Sequence, residues 1–141
     1  MRPPEGVKRG FVVQWIRSAD GDLAAAKHLL SGGAELVPGA VFHAQQAVEK
    51  FLKAVLVWHQ VEFPQTHDIG RLMDLLETVD PGLADLVREA STLTPYAIEA
   101  RYPSDLPRPT LAEAREALAI ATRVRDAVVR QLAPVLGSEA P

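Results

Sequence analysis

The spacing of apolar residues predicts helices along most of this chain. Between residues 11 and 133, apolar side chains recur every three or four positions, which places them on one face of a helix. No stretch alternates apolar and polar residues as a half-buried strand would. The pattern therefore predicts an all-α fold: an up-and-down antiparallel four-helix bundle with an additional short helix, about five helices in total.

Proline and glycine set the expected boundaries of the helical domain. Residues 1–10 contain two prolines and two glycines, and this composition predicts a flexible lead-in. Pro134 is expected to end the last helix, because proline lacks the amide hydrogen that a helix interior uses. Residues 134–141 then form a tail, and a single helical domain is expected over residues 11–133.

Capping signals mark the starts of three of the predicted helices. Thr66 or Asp68 is placed to cap the third helix, and Asp80 followed by proline is placed to cap the fourth. Thr110 with Glu113 three residues later matches the capping box, in which each side chain bonds the other residue's backbone amide. The last helix is therefore expected to begin directly after Thr110.

Composition excludes several functional classes. The 15 basic and 18 acidic residues give a net charge of -3, so no overall basic field attracts a nucleic-acid backbone, and any nucleic-acid contact is expected to be local. Cysteine is absent, which excludes disulfides, thiolate zinc sites and cysteine nucleophiles. The four histidines form no metal-binding motif, and no apolar run approaches a membrane span. We expect a cytoplasmic protein without metal or cofactor and without contact with a membrane.

The second helix, predicted near residues 40–59, carries a polar arc. At 100° per residue, five hydrogen-bonding side chains fall within about 120° of each other: His43, Gln46, Glu49, Lys50 and Lys53. One interpretation is a solvated helix face. In the other, the two lysines and His43 contact an anionic ligand while Gln46 recognises a base or sugar edge. Periodicity alone does not decide between them.

A proline-rich segment before the last helix supplies two further candidate residues. Arg101 offers a guanidinium suited to phosphate, and Tyr102 offers a ring that can stack on a base. Alternatively, Arg101 pairs with Glu49 or Asp105 and pins this loop to the bundle. The sequence shows no nucleophile motif and no glycine-rich phosphate loop, so we assign no catalytic residue.

Three motifs together resemble a known family. They are Phe42-His43-Ala44-Gln45-Gln46-Ala47-Val48-Glu49-Lys50-Phe51-Leu52-Lys53-Ala54, Thr66-His67-Asp68-Ile69 and Arg101-Tyr102-Pro103. In order and spacing they resemble the HEPN domain (higher eukaryotes and prokaryotes nucleotide-binding) over about residues 11–133. The resemblance implies a four-helix bundle with a short extra helix, which agrees with the helix count from periodicity.

The resemblance also implies a role and partners. Small stand-alone HEPN proteins commonly form homodimers and accompany a small nucleotidyltransferase, often as a toxin–antitoxin pair. The nucleotide-binding role of the family implies a ligand site made by the polar arc together with Arg101 and Tyr102. We therefore expect a dimeric nucleotide-binding or accessory module that acts with a nucleotidyltransferase partner.

The sequence departs from the ribonuclease members of the family. Those members carry an arginine followed four to six residues later by a histidine, but here Arg101 is followed by Tyr-Pro-Ser-Asp-Leu-Pro-Arg and no histidine occurs after His67. This departure argues against an enzyme. Two alternatives remain: a divergent ribonuclease that brings Arg101 together with His43 or His67, and a structural adaptor whose polar arc binds another protein.

Overall fold

The computed structural model of the protein describes residues 5–93 and 108–137. These residues form five α-helices and no strand, which confirms the predicted all-α bundle. The helices are α1 (Glu5–Leu30), α2 (Val37–Trp58), α3 (Ile69–Val79), α4 (Pro81–Val87) and α5 (Leu111–Leu136). Short 3-10 helices precede α2 and follow α4. None of the described helices combines the length and apolar character needed to cross a bilayer.

Helix α2 is the centre of the bundle. It packs against α1, α3 and α5, and its contact with α1 is the most extensive in the described chain. The face predicted to be apolar is fully buried, with Ala44, Val48, Phe51 and Val55 at 0% exposure. Burying a side chain of the size of Phe51 contributes roughly 1.5–3 kcal/mol to folding. The polar arc of α2 is thereby held at a fixed angle to the rest of the bundle.

The predicted helix starts are confirmed. The Asp68 carboxylate accepts a hydrogen bond from the amide of Arg71, and Asp80 accepts one from the amide of Leu83. Thr110 and Glu113 form both bonds of the capping box. These bonds satisfy amides that the first helical turn leaves without intrahelical partners.

The expected flexible lead-in is wrong for residues 5–10, because α1 begins at Glu5. The ammonium of Lys8 lies 3.9 Å from the ring centroid of Trp58, at the end of α2. A cation over an indole ring is a favourable contact, and Val12 next to this turn is completely buried. Packing against α2 thus overrides the weak helix propensity of Gly6 and Gly10.

The expected end of the last helix at Pro134 is also wrong, because α5 continues to Leu136. Leu132 and Leu136, one turn apart, are 2% and 0% exposed. Their burial keeps the final turn helical although Pro134 cannot donate a backbone hydrogen bond. The helix ends at Gly137, whose φ of 55° is readily adopted only by glycine.

Replacing Thr110 by alanine tests the capping box. We expect Thr110→Ala to lower the free energy of unfolding by about 1 kcal/mol, since the amide of Glu113 loses its partner. Urea denaturation followed by circular dichroism measures the change. Thr122→Ala on the same helix is the control, because the Thr122 hydroxyl donates to the Leu118 carbonyl within the helix and caps no backbone amide. Equal effects of the two substitutions would contradict the assigned cap.

Candidate functional site

The polar arc of α2 lies against a row of side chains on α1. On α1, Trp15 contacts Lys53 of α2, and Ser18 contacts Lys50. Asp22, further along α1, contacts both His43 and Lys50. Residue numbers rise along one row while they fall along the other, so α1 and α2 are antiparallel. Three members of the arc, His43, Lys50 and Lys53, are therefore part of a helix–helix contact and not of a solvated face.

Asp22 is the centre of the first cluster. Its Oδ1 accepts a hydrogen bond from Nδ1 of His43 at 2.8 Å, and its Oδ2 accepts one from the Lys50 ammonium at 2.7 Å. The ammonium also donates to the Ser18 hydroxyl at 2.9 Å. Because a carboxylate only accepts, Nδ1 of His43 carries a hydrogen, and in the neutral form of the ring Nε2 is the acceptor. The His43 side chain is 34% exposed, so a ligand can reach it.

Glu49 is the centre of the second cluster, and it is only 3% exposed. Its Oε1 accepts from the Lys53 ammonium at 3.0 Å. Its Oε2 accepts from the side-chain amides of Gln46 at 3.1 Å and Gln45 at 3.3 Å, and it lies 3.2 Å from Nδ1 of His67. A carboxylate buried to this degree requires several donors, and four residues supply them.

Lys53 is enclosed by aromatic rings. Its ammonium lies 5.5 Å from the centroid of Trp15 and 5.6 Å from that of Phe63, and its side chain is 12% exposed. The two rings contact each other edge to face at 6.3 Å. Together with the bond to Glu49, this enclosure makes Lys53 a structural cation with little surface left for a ligand.

The segment 59–68 between α2 and α3 is the third part of the chain that contributes to the site, after α1 and α2. It runs back along α2, since Phe63 lies beside Lys53 while His67 lies beside Glu49 and Gln46, about a turn or more earlier on the helix. The backbone carbonyl of His67 accepts a hydrogen bond from the buried amide of Gln45 at 3.1 Å. This bond and the contact between His67 and Glu49 hold the segment against α2.

The structure thus brings five of the predicted site residues together: His43, Gln46, Glu49, Lys50 and Lys53. Arg101, Tyr102 and the expected loop around them lie outside the described residues. The two ammonium groups of the arc are balanced by the carboxylates of Asp22 and Glu49. In the described part of the chain, no three histidine or carboxylate side chains are grouped to hold a metal ion.

Sequence reasoning missed Ser18, Asp22 and the buried Gln45 as site residues, and it named His67 as a site residue only in the ribonuclease alternative, as a possible partner of Arg101. One available signal concerned Asp22, which follows Ala19 by three residues and precedes Ala26 by four. Both alanines are completely buried. An acidic residue in register with a buried helix face indicates an ion pair with a neighbouring element.

The buried carboxylate gives a test of this geometry. We expect Glu49→Ala to lower the free energy of unfolding by about 3 kcal/mol, because Lys53 would stay buried without its partner. Urea denaturation measures the loss, and Glu62→Ala at an exposed position of the 59–68 segment is the control. A loss below about 1 kcal/mol would contradict the central role of Glu49.

Comparison with known proteins supplies the family. The model of the HEPN domain matches residues 12–132, which is most of the chain. No curated protein and no solved structure matched the sequence. The matched range includes α2, most of α1 and α5, and the whole of the site described above. The chain therefore belongs to the HEPN domain family, whose members are nucleotide-binding and ribonuclease-type modules.

Proposed function

We propose that this HEPN protein binds a nucleotide on the face formed by α1, α2 and the 59–68 segment. The observation that carries the proposal is the partly exposed group His43, Gln46 and Lys50, in which Asp22 holds His43 and Lys50 while Glu49 holds Gln46. Hydrogen-bonding groups that are fixed by buried neighbours and still partly exposed to solvent suit a small polar ligand.

The proposed roles follow from what each side chain has left to offer. The Lys50 ammonium has three hydrogens and uses two of them on Asp22 and Ser18, so one remains for a phosphate oxygen. The two side-chain amide hydrogens of Gln46 are used on Gln45 Oε1 and Glu49 Oε2, so its side-chain oxygen and Nε2 of His43 remain to recognise a base or sugar edge. Arg101 is proposed to add a second phosphate contact, and Tyr102 is proposed to stack on the base.

We also propose that the protein acts as a homodimer with a nucleotidyltransferase partner, in a toxin–antitoxin-like system. This part rests on the family resemblance alone. In such a system, the nucleotide bound by this protein would be of the kind that the nucleotidyltransferase partner uses as its substrate.

Calorimetric titration with ATP tests the binding proposal. We expect saturable binding that Lys50→Ala weakens about fivefold or more, since a charge-assisted hydrogen bond contributes about 1 kcal/mol or more. Arg101→Ala should weaken it similarly. Arg130→Ala, which removes an exposed cation on α5, is the control and should leave the affinity unchanged.

Two results would count against nucleotide binding at this face. Equal affinities for the native protein and both variants would place the ligand elsewhere. No heat with any nucleotide would instead favour the structural adaptor, in which the same face binds another protein.

A second candidate function is ribonuclease activity, and the pair Asp22–His43 favours it. A carboxylate on Nδ1 orients the imidazole so that Nε2 can accept a proton, which is the arrangement of a general base. In RNA, His43 would take the proton of a ribose 2′-hydroxyl. The 2′-oxygen would attack the adjacent phosphorus, the bond to the 5′-oxygen would break, and that oxygen would take a proton from water.

Cleavage of RNA by the purified protein tests this second candidate. We expect His43→Ala to abolish cleavage if His43 is the base, whereas His28→Ala, at an exposed position on α1, should leave the rate unchanged. The assay is run with and without added divalent metal. No cleavage under either condition, or equal rates for native protein and His43→Ala, would remove His43 as a catalytic base.

A further inference from the structure

The Asp22 carboxylate sits among donors that suit an oxyanion. One imidazole N–H and one ammonium point at its two oxygens at 2.8 Å and 2.7 Å. The Ser18 hydroxyl completes the group through its bond to Lys50. Ammonium, imidazole and hydroxyl groups are also common phosphate ligands, because each can donate to a phosphoryl oxygen.

We infer that Asp22 is an internal anion that occupies a phosphate-binding site formed by Ser18, His43 and Lys50. In this arrangement Asp22 sets the affinity of the face for phosphate-bearing ligands. A phosphate that approaches Lys50 meets an ammonium already neutralised at 2.7 Å, and it is also repelled by the carboxylate. Asp22 therefore weakens, without preventing, the contact that the third Lys50 hydrogen makes with a phosphate.

The surroundings of Lys50 support this inference. Of the two ammonium groups in the arc, that of Lys53 is enclosed by Glu49 and two aromatic rings. Lys50 is more accessible, at 26% exposure, and its other partner, Ser18, is neutral. Asp22 is therefore the residue whose charge lowers the affinity of Lys50 for a phosphate.

This inference deepens the proposed function, because it concerns the same face, but it makes its own prediction for inorganic tripolyphosphate. We expect Asp22→Asn to bind tripolyphosphate at least tenfold more tightly than the native protein does, a difference of about 1.4 kcal/mol. The gain should shrink as salt is raised, since Lys50 is partly exposed. Isothermal calorimetry measures both effects.

Two controls separate the local effect from a change in net charge. Asp74→Asn removes the same charge from an exposed position on α3 and should leave tripolyphosphate binding unchanged. Adding Lys50→Gln to Asp22→Asn should abolish the gain, because the freed ammonium is then missing. If Asp22→Asn does not fold by circular dichroism, Asp22→Ser provides a smaller neutral residue that still accepts a hydrogen bond, with the same expected gain.

The outcomes distinguish this inference from the nucleotide proposal. A tripolyphosphate gain in the Asp22 variant supports the inference even if native protein binds no ATP. Unchanged or weaker tripolyphosphate binding in a folded Asp22 variant overturns it, even if ATP binds through Lys50. A gain that persists after Lys50→Gln also overturns it, since the phosphate would then lie elsewhere.

Discussion

The burial of one carboxylate, that of Glu49, constrains the part of the functional face formed by Gln46, Lys53 and the 59–68 segment. A charge that is 3% exposed is stable only with donors around it, and these come from Lys53, Gln45, Gln46 and the 59–68 segment. Meeting this requirement fixes the amide of Gln46 and holds the segment against α2. The positions of Gln46 and His67 on this face are therefore fixed by a carboxylate that is itself almost inaccessible to a ligand. Binding and folding share these side chains, so substitutions at Glu49 affect both.

The second constraint is the balance of charge along the contact between α1 and α2. Two carboxylates neutralise two ammonium groups. Asp22 of α1 pairs with Lys50 of α2, whereas Glu49 and Lys53 pair within α2. A bare basic stripe would attract any polyanion through long-range fields. A balanced stripe instead recognises ligands by the placement of donors and acceptors at short range. Short-range recognition of this kind agrees with the net charge of -3, which provides no overall attraction for a polyanion.

Features that depend on a single helix could be predicted from the sequence. Periodicity identified the buried face of α2 around Phe51, and local rules identified the caps at Asp68, Asp80 and Thr110. The same reasoning failed at Lys8 and Leu136, where contacts with distant elements extend helices through glycine and proline. It also grouped the α2 members of the site without their partner Asp22. That pairing joins residues 21 and 28 positions apart, and no local pattern specifies it.

Asp22 is where the two candidate functions make opposite demands on one side chain. A carboxylate that orients the His43 imidazole for proton transfer has to stay beside Nδ1 while the reaction proceeds. A carboxylate that stands in place of a ligand phosphate has to be outcompeted before that phosphate can reach Lys50. Neutralising Asp22 therefore strengthens phosphate binding in one case and removes the orienting partner of the base in the other.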